Sequence, residues 1–143
     1  MSDMTEVEQR EAERREQERR EQERRAAICR QISEKQSQIT SLNSSLSALS
    51  IHNANLTNSV NKWTNAKQGF FQEEITRMVV VKNVFEGTAA ESVKKQNEQE
   101  INKMDGKIKQ TNDVQSGIRR QIGKVNTKIG TLNSEITSLR NQL

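Results

Sequence analysis

Few side chains in this 143-residue chain have the type and spacing that reactive chemistry needs. His52 is the one histidine and Cys29 the one cysteine, so neither a metal-ligand cluster nor a disulfide within the chain can be assembled. His52 stands beside Asn53 in a polar stretch, where a solvated or interhelical role is expected, and Cys29 follows Ile28, where a small residue flanking a helix seam is expected. Glu73 and Glu74 are adjacent and so point to different faces of a helix, which prevents them from converging as an acid and a base. No glycine cluster follows the pattern of a phosphate-cradling loop. A non-enzymatic chain with no cofactor and no metal is expected.

Composition then indicates what kind of scaffold could be built. Hydrophobic residues make up 31% of the chain and charged residues 29%, with no proline and no tyrosine. A compact globule draws on nearly half apolar residues, so this chain can cover a stripe but cannot fill a wide core. Without proline, nothing in the sequence strictly forbids long helices. No stretch approaches the roughly 20 consecutive apolar residues of a membrane span, and the opening Met1-Ser2-Asp3-Met4-Thr5-Glu6 lacks the basic and apolar regions of a signal peptide. A cytoplasmic protein is expected, or one exported by a route independent of a signal peptide.

The formal net charge of +4 is unevenly distributed. Residues 1–25 hold seven arginines against nine acids, a local charge of −2 that leaves +6 for the remainder. The arginine-rich start is therefore not a polybasic arm. With no aromatic interleaving and no basic cluster, nucleic acid is not an expected partner. Glu13-Arg14-Arg15-Glu16-Gln17 recurs as Glu18-Arg19-Arg20-Glu21-Gln22 and begins again at Glu23, a period of five that matches no buried helical stripe. Pairs such as Glu11/Arg15, Glu16/Arg20 and Glu21/Arg25 support a helix at i,i+4, and Thr5-Glu6-Val7-Glu8 has a capping-box pattern. Residues 1–27 are read as a charged, low-complexity, fraying helical extension.

From residue 28 the apolar residues fall into heptads. In the first arm the a positions are Ile32, Ile39, Leu46, Asn53, Val60 and Lys67, and the d positions are Ile28, Lys35, Leu42, Leu49, Leu56, Trp63 and Phe70. In the second arm the a positions are Ile101, Ile108, Gln115, Ile122, Ile129, Ile136 and Leu143, and the d positions are Met104, Thr111, Ile118, Val125, Leu132 and Leu139. The helix-pairing seam is assigned above all to Ile39, Leu42, Leu46, Leu49, Leu56, Ile122, Ile129, Leu132 and Ile136. Asn53 and Lys67 place polar groups at a, which fixes register at a cost in stability.

Between the arms, Met78 to Gly87 is dense in β-branched residues, which are poor helix formers. The spacing predicts helix 1 over 28–77, a bend over 78–87 and helix 2 over 88–143, the last opening on the capping box Thr88-Ala89-Ala90-Glu91. Phe85 and Gly87 form the expected turn, packed by Trp63, Phe70 and Val84. The fold class is all-α, two long antiparallel helices in a coiled-coil-like hairpin. Gly106, Gly117, Gly123 and Gly130 lie off the seam inside helix 2, at about 1 kcal/mol each relative to alanine, and mark a candidate face for a partner helix.

The long helix bearing Trp63, the turn Phe85-Glu86-Gly87, the small pair Ala89-Ala90 and the second Ile/Leu heptad helix resemble the WXG-like helical hairpins of Gram-positive type VII secretion, in particular the YwqH-like companion proteins of LXG toxins. Phe85-Glu86-Gly87 stands where that family has Trp-x-Gly. The resemblance covers about residues 28–143 and implies a targeting chaperone that binds the N-terminal helical domain of an LXG-type toxin, with a second small helical protein as a further partner. Without tyrosine, the chain lacks the family's Tyr-x-x-x-acid export signal, so export would depend on the partner. From the residues alone, a self-associating structural coiled coil remains an alternative, with a homo-oligomer as its consequence.

Overall fold

A computed structural model describes the backbone of residues 5–84 and 88–143, and the side chains of 5–73 and 91–143. Helix α1 (Glu6–Val84) and helix α2 (Thr88–Asn141) pack against each other as an all-α helical hairpin, with no strand among the described residues. The start of α1 is capped as its sequence predicts. The Glu8 amide donates to Thr5 Oγ1 at 3.4 Å, the Gln9 amide donates to the Thr5 carbonyl at 3.1 Å, and Glu6 and Glu8 place negative charge at the positive end of the helix dipole. At the other end of α2, Arg140 lies in the last turn, and the amides of Gln142 and Leu143 close onto the carbonyls of Leu139 and Arg140.

The charged extension is helical from Glu6 and runs on unbroken into the seam. One expected boundary moves: the first helix does not stop at residue 77 but continues through Met78–Val84, where a bend was expected. β-Branched residues cost a few tenths of a kcal/mol each in a helix, and extending an established helix by one residue is far easier than starting one. A valine run without proline or glycine therefore does not terminate it. Phe85 and Gly87, the expected turn motif, lie outside the described residues, as does the side chain of Val84. α2 begins at Thr88, with Glu91 in its first turn, as the capping pattern predicts.

The chain divides into two compact units. One pairs α1 up to Ser45 with α2 from Lys124 onward; the other comprises Leu46–Gly123. In the first, Ile28, Ile32 and Ile136 form a buried cluster with Ile39 and Leu139 packed against it, and Leu132 is 2% exposed. Pairing is antiparallel: Arg24 meets Gln142, and eleven residues further along α1 Lys35 meets Glu135. In the second unit Asn53 and Thr57 meet Gln115, and Lys67 meets Asp105, again with numbers rising on α1 as they fall on α2.

Candidate helix-pairing interface

The seam read from the heptads is the stripe that the helices cover. Each predicted a and d side chain from Ile28 to Phe70 and from Ile101 to Leu139 is buried or half-buried. Almost all their neighbours at b, c, e, f and g are exposed. Leu143 is the exception and a correction, because α2 ends at Asn141 and leaves its side chain exposed. Trp63 and Phe70 are half-buried at their d positions. Phe71, one residue on, turns away and is 52% exposed.

The two units line this stripe with different chemistry. Around Ile28, Ile32, Leu132 and Ile136 the layers are aliphatic, and the one polar d residue, Lys35, is accommodated by its length. Its stem lies along the seam while Nζ donates to Glu135 Oε2 at 2.5 Å. That hydrogen bond holds the Glu135 carboxyl below its ordinary range. The geometry is that of a g-position acid answering a d-position lysine on the opposite helix.

In Leu46–Gly123 the layers are mixed. Gln115, 5% exposed at an a position, donates from Nε2 to Thr57 Oγ1 at 2.7 Å and to the Asn53 carbonyl at 3.2 Å. The Thr57 hydroxyl in turn donates to the Asn53 carbonyl at 3.0 Å, so it both accepts and gives. Thr111, buried at d, turns its hydroxyl back to the Lys107 carbonyl at 2.9 Å. Lys67 at a donates to Asp105 at 2.5 Å. Asn53 Oδ1 and Asn97 Nδ2 are buried with no hydrogen-bond partner. Such a layer weakens a helix pair relative to aliphatic packing and ties its register to particular partners.

Heptad reading located Asn53, Lys67, Thr111 and Gln115 on the seam but could not pair them. It also missed Asn97, which is buried. Counting back seven from Met104 reaches Asn97, so the seam begins one heptad earlier than the apolar residues suggest. The glycines behave as their positions imply. A Cβ added at Gly106, Gly123 or Gly130 would meet no heavy atom within 4 Å, and at Gly117 it would only touch Arg120 Nη2 at 4.0 Å. The hairpin uses none of them for close packing of its own helices.

No family model, curated protein or solved structure matches the chain significantly. Among the described residues no group of acids, cysteine and histidine is placed to hold a metal ion, and no helix is long and apolar enough to cross a membrane. Cys29 and His52 are both exposed. What the side chains are arranged to do is pair helices, and the pairing is incomplete. Ile39, Leu42, Leu46, Leu49 and Leu56 on α1, with Ile122 and Ile129 on α2, all keep part of their surface in water. In the first unit a surface groove lined by Gln36, Ile39, Asn133, Ile136, Thr137 and Arg140 has seam isoleucines among its lining.

Proposed function

We propose that the chain is a non-enzymatic helical adaptor that binds a helical protein partner along its half-covered seam. Following the resemblance of residues 28–143 to the companion proteins of LXG toxins, the partner is the N-terminal helical domain of a type VII secretion toxin, held soluble and presented for export. The observation that carries this reading is the state of the seam. A two-helix pair that leaves its own aliphatic a and d residues partly wet gains free energy from any further helix that dries them, at about 25 cal/mol per Å² of apolar surface removed from water. The glycines on the far side of α2 leave room for a second helical partner to approach closely, in addition to the one that covers the seam.

Light scattering on the full chain, alone and with a toxin N-terminal helical domain, tests it. The adaptor is expected to be a monomer that forms a defined complex, with amide exchange slowing at Ile39, Leu42, Ile122 and Ile129. Substituting Ile39→Glu is expected to abolish the complex. A stable dimer that ignores the toxin domain would overturn the adaptor reading and establish the self-associating coiled coil in its place.

A further inference from the structure

The arginine-rich segment has no part in the seam, and its repeat has a geometry of its own. Residues 6–23 are helical and, apart from half-covered Glu16, exposed. Among the described residues, hydrogen bonding to α2 begins only at Arg24, whose Nη1 donates to the Gln142 carbonyl at 3.0 Å. An isolated helix of this length is marginal in water unless something along it supplies stability. Here the support runs along the helix. Glu16 Oε1 accepts from Arg19 at 2.6 Å and from Arg20 at 3.2 Å, and Glu21 Oε1 accepts from Arg24 at 2.6 Å and from Arg25 at 3.2 Å. Arg19 also reaches Glu23, Arg14 reaches Glu18 and Arg10 reaches Glu6.

The period of five explains this pattern. In each repeat the fourth residue is a glutamate, and the Arg-Arg pair of the next repeat lies three and four residues further on, one helical turn away. One carboxylate is therefore straddled by two guanidinium groups at every step. Five residues advance the helix by about 140° beyond a full turn. Successive bridges thus spiral around the surface and brace every side, whereas a heptad would gather them on one face and create a seam. The carboxyl of Glu21 is held down to about 2, chiefly by its hydrogen bond from Arg24, and that of Glu16 is lowered chiefly by Arg19.

We propose that residues 6–23 are a rigid single-helix strut, held by its own ion pairs and needing no partner, which sets a fixed spacing between Thr5 and the first isoleucine layer at Ile28. At 1.5 Å per residue that spacing is about 35 Å. This reading is independent of what the seam binds.

Pulsed electron-spin distance measurement on the full chain tests it, with labels at Val7→Cys and Ala26→Cys in a Cys29→Ser background. The strut predicts a narrow distribution centred near about 29 Å at low salt. Glu16→Arg with Glu21→Arg places like charges one turn apart, and is expected to broaden the distribution about twofold and to speed amide exchange across 8–20. Exchange at 28–40 is expected to stay unchanged, because the substituted side chains lie outside the seam. Sodium chloride at about 1 M is expected to broaden the wild-type distribution in the same direction. A broad distribution in the wild type at low salt would refute the strut. So would an unchanged narrow one in the doubly substituted chain, since the ion pairs would then not be its cause, or a second set of distances growing with protein concentration, since the segment would then be a pairing arm.

Discussion

Gln115 makes opposite predictions for two substitutions, and the magnitudes can be worked out from its surroundings. Truncation to alanine removes most of a nearly fully buried side chain, two hydrogen bonds from Nε2 and the γ-methylene that helps fill the layer. At about 1 kcal/mol net per hydrogen bond and about 0.8 kcal/mol per buried methylene, Gln115→Ala is expected to cost about 2–3 kcal/mol. Leucine has nearly the same bulk. Its introduction strands no group, because the Asn53 carbonyl keeps the Thr57 hydroxyl at 3.0 Å, and Thr57 is itself exposed to water. Gln115→Leu is therefore expected to be neutral or to stabilise by up to about 1.5 kcal/mol, since exchanging a buried polar side chain for an apolar one of similar size often does so. In melting temperature the two variants should separate by roughly 10 °C for a chain of this size. Thermal unfolding followed by circular dichroism measures that separation, and amide exchange around Thr111 and Ile118 localises it. The leucine variant should also self-associate more readily, because a continuous aliphatic seam no longer distinguishes one register or partner number from another. If leucine were as destabilising as alanine, the hydrogen bonds of this layer would be worth far more than their exchange with water allows, and the description of Leu46–Gly123 as the weaker-lined unit would be wrong.

Other consequences follow from the same contacts. Leu132→Ala, at the most deeply covered aliphatic position among the described residues, should cost about 2–4 kcal/mol in denaturant unfolding. Gly130→Ala fills open space, so it should stabilise the isolated hairpin by about 0.5–1 kcal/mol while weakening the toxin-domain complex if the glycine face takes the partner helix. Calorimetric titration of the variant checks the second half of that statement. For Glu21 the folded carboxyl titrates at about 2 against an ordinary 4.5, so the support that it lends the strut is full above pH 4.5 and is lost as pH falls through about 2. The labelled strut should accordingly broaden as pH falls from 4.5 toward about 2, as read by the same spin-distance measurement.

Residue spacing alone carried a large part of this molecule. The a and d positions that the heptads named from Ile28 to Phe70 and from Ile101 to Leu139 are all covered, because a stripe with a 3.5-residue period must face one way along a helix whatever it packs against. Thr5 and Thr88 marked the helix starts, since capping depends on the few residues around it. The pentad repeat identified a seamless segment for the same local reason. α1 runs past the point where its β-branched residues predict a bend, because a long established helix extends through them cooperatively at small cost per residue. Across the seam, spacing ran out. Which residue of one helix meets which of the other depends on how the two helices slide past each other, and no local pattern encodes that offset. Only the packed pair brings Gln115 to Thr57, Lys35 to Glu135 and Lys67 to Asp105. The same packing reveals how little of the aliphatic stripe two helices can dry, because coverage belongs to the assembled surfaces and is not a property of either helix alone.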